Sequence, residues 1–384
     1  LILVFFYQLP IYSVIINLII LPLSSLLLIS ALIAGIAGCI SLPLGIFCVG
    51  GTNYILRFYE WVCRMGARLP SNLVTIGKPD QLPILLYLAL LLLFIWYVKR
   101  YKKKRITLVL PIAILILLLP QRNVGLEITM LDVGQGQAIF METVNGTTYL
   151  FDGGSSDVKG VGKHRIQPYL LSKGVDVIDY AIVSHVDSDH ISGLIELINL
   201  GEIKIHNLLL PYLMDMYREE AYIKLEALAN RSGIVVQYIR AGDVLTEGEL
   251  KMTCLHPSVE FIPSTNNSYS MVISVSYGDF DILLTGDLEQ DGENILVAKY
   301  PYDYDVLQVA HHGSKYSTSE RFLQITQPEM ALISCGKNNR YGHPHGELLE
   351  RLQRNGADIK VTTESGAITI RTDGSKVEVW EYMK

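Results

Sequence analysis

The first 56 residues contain no Lys, Arg, Asp or Glu, and this charge-free stretch constrains the fold more than any other feature of the sequence. Ordinary soluble domains carry about 25% charged residues, so a run of this length indicates burial in a membrane and excludes a wholly cytosolic enzyme. Residues 11–49 are apolar, but prolines and glycines interrupt them, at Pro22, Gly35, Gly38, Pro43 and Gly45. We therefore predict two or three short, broken or re-entrant segments there, rather than one long helix or a cleaved signal peptide.

The charged residues divide the chain of 384 residues into two parts. Residues 1–122 hold 11 Lys/Arg and two Asp/Glu, whereas residues 123–384 hold 21 Lys/Arg and 36 Asp/Glu, so the net charges are +9 and −15. We therefore expect a membrane domain over residues 1–122 and a soluble domain over residues 123–384. Half of the chain is apolar, which excludes disorder. The sequence contains no Cys-x-x-Cys spacing, so it does not indicate a zinc ribbon. Because the sequence begins inside an apolar run without Met, we expect it to be the C-terminal part of a longer protein.

Three further segments refine the membrane part. Residues 53–69 carry arginines at helical spacing, which is typical of an amphipathic helix at the membrane interface, with a helix packed inside a bundle as the alternative. Residues 82–98 and 106–119 are apolar, and six of the seven residues between Lys99 and Arg105 are basic. A short basic loop beside membrane spans is typically cytoplasmic, although a surface that binds lipid or nucleic acid has the same composition. We therefore predict a multi-pass membrane protein, with residues 123–384 outside the cytoplasm.

After residue 122 the pattern changes to short β-rich runs that alternate with helical ones. Strands are predicted at 126–131, 137–143, 148–151, 177–183, 250–255, 271–277, 281–284, 306–309, 330–334, 359–362, 367–371 and 377–380. Helices are predicted near 166–172, 191–200, 215–232 and 346–355. Two β-rich halves with interspersed helices indicate an α/β fold of two packed sheets with helices on their outer faces, preceded by an all-α transmembrane segment.

The strongest local signal for chemistry is the segment from Ser184 to Gly193. It places His185, Asp187, Asp189 and His190 within six residues, directly after an apolar strand and before a helix. Strand-like spacing would turn the first three of these side chains to one side. Imidazole and carboxylate together are typical ligands of zinc, manganese or iron, and the alternative of a merely polar loop requires four ligand-type residues by chance.

Later strand ends supply further candidates for a metal site. Asp287 follows the strand near 281–284, and the pair His311 and His312 follows the strand near 306–309. A carboxylate such as Asp287 can bridge two ions, which lie about 3.5–4 Å apart in enzymes that clamp a phosphoryl group. Asp152 ends another strand, and we expect it to orient a ligating histidine.

These residues resemble known families. His-x-Asp-x-Asp-His at 185–190 and Thr-Gly-Asp at 285–287 resemble the metallo-β-lactamase fold superfamily, which implies an αββα sandwich. More narrowly, residues 131–138, 311–314, 341–344 and 17–24 resemble the C-terminal part of the ComEC family, the DNA-uptake channels of competent bacteria. This resemblance covers nearly the whole chain.

The resemblance implies a set of metal ligands. They are His185, Asp187, Asp189, His190, Asp287 and a histidine of the pair His311 and His312. Asp187 stands where the superfamily usually has a second histidine, and residues 266–270 stand where a further histidine would precede Asp287. Within that segment we expect Asn267 to support a ligand. His256 is an alternative ligand, although His256 and Pro257 are typical of a turn, and Gln137 replaces a common Asp and is expected to have a loop role.

The remaining site predictions concern substrate. His343 lies in the segment 341–345, where it would protonate a leaving oxygen or contact a phosphate, unless it serves only in a turn. Ser314, Lys315 and Arg340 are expected to bind substrate. Asp189 and Asp287 are expected to be essential for hydrolysis. The cofactors implied are two divalent metal ions, zinc or manganese.

Three functions remain open on the sequence. The first is a metal-dependent nuclease that hydrolyses incoming DNA and is fused to a DNA-conducting membrane domain. The second is a membrane-tethered hydrolase of a small lactam, lactone or phosphoester, and the third is a domain that guides DNA without catalysis. The metal motifs disfavour the third, whereas the net charge of −15 disfavours binding of a polyanion. The partners expected are DNA, membrane lipid, other competence proteins and a second copy of the chain.

Overall fold

The computed structural model describes residues 5–101 and 125–383, and the chain falls into two units. One unit lies within Leu1–Leu119 and includes Leu171–Gly174, and the other comprises Pro120–Leu170 and Val175–Lys384. The predicted domain boundary at residue 122, most of the basic run and the predicted span at 106–119 lie outside the described residues.

Two long helices form most of the N-terminal unit, and they correct the prediction of short, broken segments at residues 11–49. Helix α1 runs without a break over Ser13–Ile40, and helix α2 follows over Leu42–Ala67. The two helices pack side by side in opposite directions, so that the side chain of Ile16 near the start of α1 meets Gly66 near the end of α2. Tyr59 of α2 donates a hydrogen bond to the Ile20 carbonyl of α1 at 3.1 Å.

The residues that suggested breaks have other roles. A Cβ atom on Gly45 would lie 2.5 Å from the Cα atom of Gly38, so these glycines let the two helix backbones approach closely. Pro22 lies inside α1, where it removes one backbone donor, and the hydroxyl of Ser24 donates to the Leu21 carbonyl at 2.6 Å. The glycines and the proline therefore shape the packing of continuous helices.

The predicted amphipathic segment at 53–69 is the second half of α2. Val62 and Gly66 are its buried positions, while Arg64 extends from the exposed side and pairs with Glu60 one turn earlier. A third helix, α3, covers Gln81–Tyr101, and a short antiparallel pair joins β1 (Gln8–Pro10) to β2 (Leu73–Thr75). By length and composition, α1 and α3 are long and apolar enough to cross a membrane.

The C-terminal unit contains two sheets. Its strands are β3 Leu126–Met130, β4 Ile139–Glu142, β5 Thr148–Phe151, β6 Val177–Ile182, β7 Lys204–Pro211, β8 Val235–Ile239, β9 Val244–Glu247, β10 Leu250–His256, β11 Val272–Tyr277, β12 Phe280–Leu284, β13 Val306–Gln308, β14 Met330–Ile333, β15 Asp358–Val361, β16 Ile368–Thr372 and β17 Val377–Glu381. The eight-stranded sheet has the order β17-β16-β3-β4-β5-β6-β7-β8, and the seven-stranded sheet has the order β15-β14-β13-β12-β11-β10-β9. In each sheet antiparallel pairs give way to parallel ones, at β5–β6 and at β12–β13.

Most helices of this unit connect neighbouring parallel strands, whereas the last one lies between β15 and β16, which belong to different sheets. The helices are α4 Gln167–Ser172, α5 Ser188–Leu200, α6 Glu220–Arg231, α7 Gln290–Lys299, α8 Glu320–Thr326, α9 Gly346–Arg354 and α10 Thr362–Ser365. The predicted helix at 215–232 is shorter than expected, because only a 3₁₀ turn at Asp215–Tyr217 precedes α6. Strands β7, β8 and β9 were not predicted.

The main core lies between the two sheets, as the αββα prediction requires. It joins Ile128 and Ile370 of one sheet to Ile273 and Ile282 of the other. A second buried cluster packs the seven-stranded sheet against α7, α8 and α9, with Leu323 among its members. The predicted fold class is confirmed. The candidate site residues directly follow the carboxyl ends of parallel strands.

We expect Phe280→Ala to lower the free energy of unfolding by about 3–5 kcal/mol, because Phe280 is only 2% exposed in the core between the sheets. The matched control is Val144→Ala at a side chain that is 51% exposed, which should change this free energy by less than about 0.5 kcal/mol. Chemical denaturation of the full chain in detergent measures both values, and equal effects would contradict the assignment of the core.

Candidate metal centre

The loop between β6 and α5 carries the first four candidate ligands. Helix α5 begins at Ser188, so the extended spacing holds only as far as Asp187, and Asp189 and His190 lie in the first helical turn. Two backbone hydrogen bonds fix this turn, from Gly153 to the His190 carbonyl at 2.7 Å and from Gln137 to the Asp189 carbonyl at 3.0 Å. The buried loop is thereby anchored to the residues that flank β4 and β5.

Five of the predicted ligands converge into two overlapping groups. One group is His185, His190 and Asp287, and the other is Asp189, His190 and His312. Within each group, one ligand atom from every residue lies within 4.8 Å of the others. These residues come from the ends of β6, β12 and β13, so the predicted convergence of separate motifs occurs in the structure.

Asp287 connects the two groups through its two carboxylate oxygens. Its Oδ1 atom lies 3.1 Å from His190 Nε2, and its Oδ2 atom lies 3.6 Å from His312 Nε2 and 3.8 Å from His311 Nε2. The turn before it is held by Gln308, whose Oε1 atom accepts hydrogen bonds from the backbone of Thr285 and Gly286. The carboxylate therefore has the orientation that a bridging ligand requires.

The backbone distinguishes the two neighbouring histidines. His311 and His312 both have positive φ angles, 54° and 55°, in the turn after β13, a conformation that costs about 1–3 kcal/mol. His312 is buried, and its Nδ1 atom lies 3.0 Å from the Ser334 carbonyl, which leaves Nε2 facing Asp189 at 3.5 Å. His311 remains 28% exposed at the edge of the cluster. His312 is thus the better placed of the pair.

Asp152 lies behind the candidate ligands, where the sequence predicts a supporting residue. His190 Nδ1 donates to its carboxylate at 2.8 Å, and the same Oδ2 atom accepts from Ser184 Oγ at 2.8 Å and from Gln137 Nε2 at 3.0 Å. The Ser184 hydroxyl also lies 3.1 Å from His185 Nδ1. Sequence reasoning missed Ser184 and assigned Gln137 only a loop role, although the position of Gln137 in a motif that usually ends in Asp was a signal.

The cluster lowers the pKa values of Asp189 and Asp287 and raises those of His190 and His312. Burial opposes a charge on His190, but Asp287 and Asp152 more than offset it and raise the His190 pKa well above its ordinary value. Burial also opposes ionisation of Asp287, yet His312 and His190 hold its pKa well below the usual range. Burial lowers the pKa of His185 to about 4, so this ring is neutral. A site that stabilises a positive charge among several carboxylates is suited to a cation.

Unpartnered polar atoms test whether a metal fits. The Nε2 atoms of His185, His190 and His312 and the Oδ1 atom of Asp287 are buried without a well-aligned hydrogen bond. Buried polar atoms rarely remain unpaired, because each costs about 1–3 kcal/mol. All four belong to the two candidate ligand groups, and nitrogen with carboxylate oxygen is a donor set for a divalent ion. The residues therefore fit the metal that the fold implies.

Three members of the cluster, Asp189, Asp287 and His312, form the floor of a polar cavity of about 370 Å³. Its wall is lined by Gln135, Ser156, Asp187, Ser188, Asp189, Asn267, Asp287, His311, His312, Arg340, Tyr341 and His343. Asn267 Nδ2 lies 3.4 Å from His311 Nε2. Burial, with some help from His311 and His312, lowers the pKa of His343 to about 4. The structure thus brings Asp187, Asn267, Arg340 and His343 to the cavity.

Three other candidates lie elsewhere. Ser314 is buried, and Lys315 extends to Glu347, with its Nζ atom 3.6 Å from Oε1, so neither is among the described residues that line the cavity. His256 Nε2 lies 2.9 Å from the Ser268 carbonyl, where the ring packs against Phe261. It is not grouped with the candidate ligands.

Comparisons with known proteins agree with this architecture. Residues 131–337 match the metallo-beta-lactamase superfamily, and residues 1–101 match the competence protein family. The ComE operon protein 3 of Bacillus subtilis is 30% identical over an alignment that covers 95% of this chain and 49% of that protein. Recombination protein 2 of Haemophilus influenzae is 33% identical over 258 residues, 66% of this chain and 30% of that protein. The chain thus spans about half the length, or less, of these curated relatives.

Among solved structures, the metallo-beta-lactamase fold protein YhfI from Bacillus subtilis is similar with a TM-score of 0.43 and 13% identity, over 62% of this chain and 96% of that one. The family match, the two facing sheets and the motifs at their strand ends define the class. The chain belongs to the metallo-beta-lactamase superfamily and, with a competence domain before that domain, to the ComEC family. The fold implies divalent metals and a hydrolase, and the competence domain with its two long apolar helices indicates membrane association.

We expect Asp152→Asn to weaken metal binding about 10- to 100-fold, because the substitution replaces the carboxylate that orients His190. Metal content after dialysis and calorimetric titration of the full chain measure this affinity. The matched control is Asp179→Asn, since the Asp179 carboxylate also accepts a backbone hydrogen bond, from Thr148 at 3.0 Å, but belongs to neither ligand group. Equal loss in both variants would contradict the supporting role of Asp152.

Proposed function

We propose that this protein acts in DNA uptake and that its metallo-beta-lactamase domain is a metal-dependent nuclease that hydrolyses phosphodiester bonds of incoming DNA. The observation that carries the proposal is the pair of ligand groups that share His190 at the floor of a polar cavity. Competence proteins among the relatives supply the choice of DNA as substrate. The ligands favour hydrolysis by metal-bound water, whereas they do not select the substrate.

The proposed cofactors are two divalent ions, zinc or manganese. His190 Nδ1 is engaged by Asp152, so its single free nitrogen can serve only one ion, whereas Asp287 offers one oxygen to each side. His185 then belongs to one site and Asp189 with His312 to the other. Asp187 and His311, at the edge of the cluster, are proposed as further ligands. Bound divalent ions supply a Lewis acid for the phosphoryl group and hydroxide at neutral pH.

The residues of the cavity wall position the substrate in this proposal. Arg340 places a positive charge near Asp189 and is suited to a phosphate oxygen. His343 is neutral at pH 7 without substrate, and an adjacent phosphate anion would favour its protonated form. We therefore keep His343 as the group that contacts the phosphate or protonates the leaving oxygen. Ser314 and Lys315 are weaker candidates, because they lie off the cavity wall.

One observation favours a second candidate function. The part of the chain from residue 123 onward has a net charge of −15, and Asp187, Asp189 and Asp287 face the cavity. Such a surface repels a polyanion over long distances, whereas a small ester or lactam carries little charge. A membrane-tethered hydrolase of a small substrate is therefore the alternative, and the same assays with small substrates distinguish the two.

We also propose a multi-pass arrangement in a bacterial cell membrane, with residues 123–384 outside the cytoplasm. The support is the run of basic residues that begins at the end of α3, since Lys99 and Arg100 lie in its last turn. In this location the partners are DNA, membrane lipid and other competence proteins. A second copy of the chain is a further candidate partner.

We expect Asp189→Ala and Asp287→Ala to reduce DNA hydrolysis more than about a hundredfold, a larger loss than the removal of a supporting residue causes. Each variant loses a carboxylate that faces the other candidate ligands, while the apolar core stays intact. End-labelled DNA incubated with the full chain in detergent and added manganese or zinc measures the rate.

Ser188→Ala is the control for these two variants, because Ser188 lies between Asp187 and Asp189 in the same loop but belongs to neither ligand group. It should hydrolyse DNA at nearly the parent rate. An Asp287→Ala protein with parent activity would eliminate the two-metal nuclease. A parent that hydrolyses a lactam or lactone and leaves DNA intact would favour the second candidate.

Protease added to protoplasts should remove the C-terminal domain and leave residues 99–105 protected, because the positive-inside rule places the basic run in the cytoplasm. An epitope at the C-terminus, followed by immunoblotting, measures the cleavage. A cytoplasmic reporter protein should remain intact in the same sample. Complete protection of the epitope until the membrane is permeabilised would refute the proposed orientation.

A further inference from the structure

Three neighbouring side chains, Arg340, Tyr341 and His343, contact one another at the outer wall of the cavity, beyond the candidate ligands. We call these three side chains the ladder. The rings of Tyr341 and His343 stack nearly parallel, with centroids 5.6 Å apart and an interplanar angle of 22°. The Arg340 guanidinium carbon lies 4.7 Å from the Tyr341 ring centroid, and its Nη2 atom donates to the Tyr341 hydroxyl at 2.5 Å. Tyr341 nevertheless remains 43% exposed. A large ring is thus presented to solvent beside the site.

The loop that carries the ladder is fixed by one side chain. Asn339 Oδ1 accepts hydrogen bonds from the backbone N–H groups of Tyr341 at 3.1 Å and His343 at 3.0 Å. Its Nδ2 atom donates to the Gly336 carbonyl at 2.9 Å and to the His343 carbonyl at 2.6 Å. Gly342 supplies a positive φ of 75° between the two rings. The backbone of the loop is therefore fixed before a ligand arrives, which lowers the entropic cost of binding.

The chemistry of this wall differs from that of the floor. Among the described residues that line the cavity, Arg340 alone carries a fixed positive charge, and it lies at the exposed rim beside an aromatic face. An aromatic ring next to an arginine is the arrangement by which proteins bind single nucleotides of an unpaired strand, with the base on the ring and the phosphate at the cation. Neither feature is needed to hold a metal.

We propose that Tyr341 is a stacking platform for an unpaired nucleobase and that Arg340 binds the phosphate of the same nucleotide, next to the bond that is cleaved. This inference rests on the proposed function and deepens it, because it selects a flexible strand or strand end with a splayed base. Stacking tolerates any base, since every base has an aromatic face. Tyr341 thereby determines substrate choice, while the residues of the floor hold the metals.

The chain offers a matched control pair. Lys315 Nζ lies 5.5 Å from the centroid of the Tyr316 ring, and Tyr316 is 76% exposed, so this pair also combines a cation with an exposed tyrosine. Tyr316 is not among the described residues that line the cavity. Tyr316→Ala therefore removes an equivalent ring without touching the proposed subsite.

The test combines variants with modified DNA. Single-stranded oligonucleotides carry one abasic site, moved in turn through the positions that flank the cleaved bond, and the full chain in detergent hydrolyses them with added manganese. Tyr341→Ala should raise KM for intact DNA about tenfold, whereas Tyr316→Ala should stay near the parent value. With the abasic site at the stacked position, the parent should lose the same factor and Tyr341→Ala should lose nothing further.

A binding measurement provides a second readout that does not depend on catalysis. The fluorescent base 2-aminopurine at the same position should be quenched on binding to Asp287→Ala and remain bright with the double variant Asp287→Ala, Tyr341→Ala. If Tyr341 only supports His343, Tyr341→Ala will lose the same factor on intact and abasic DNA, which overturns the stacking role. If Tyr341 quenches the 2-aminopurine fluorescence but the parent protein does not hydrolyse DNA, the proposed nuclease activity is overturned and the stacking role is retained. Absence of both effects would overturn both.

Discussion

The hydrogen bonds that converge on the Asp152 carboxylate determine the geometry of the whole candidate metal centre. Its Oδ2 atom accepts from His190, Ser184 and Gln137, and its Oδ1 atom accepts from the Ser184 backbone at 2.7 Å. These donors lie just before β4, just after β6 and in the first turn of α5, so a single buried group aligns them. His190 Nε2 consequently faces Asp287, which belongs to the other sheet. The site therefore exists only when the two sheets are packed together.

The same arrangement concentrates negative charge in a buried place. Asp152 and Asp287 are almost completely buried, and the Asp189 carboxylate lies in the ligand group that also contains His190 and His312. Burial of ionised carboxylates costs several kcal/mol each unless positive charge is nearby. In the structure a protonated His190 contributes that charge, as its raised pKa indicates. A divalent ion would displace this proton and supply more charge, so metal binding would release a proton and depend on pH.

Sequence reasoning succeeded where the signal was local. The His-x-Asp-x-Asp-His segment and Asp287 directly follow apolar strands, and carboxyl ends of strands are where such sites form. It failed where contacts between residues far apart in the sequence determine the structure. Continuous packing of α1 against α2 overrode the local helix-breaking tendency of Pro22, and the choice of His312 over His311 depends on a left-handed backbone and on the Ser334 carbonyl. Gln137 acts through Asp152, fifteen positions along the sequence, which spacing alone does not reveal.

The acidic charge of the domain and a nucleic acid substrate are compatible only if recognition is short-range. A net charge of −15 gives no long-range attraction for DNA, and the one fixed cation of the cavity wall, Arg340, lies within the electrostatic influence of Asp189. Stacking on Tyr341 adds affinity without positive charge, and metal ions at the floor would neutralise the phosphate where the bond breaks. On the proposed function, DNA reaches the domain at the membrane, so long-range capture would matter less than the contacts within the cavity.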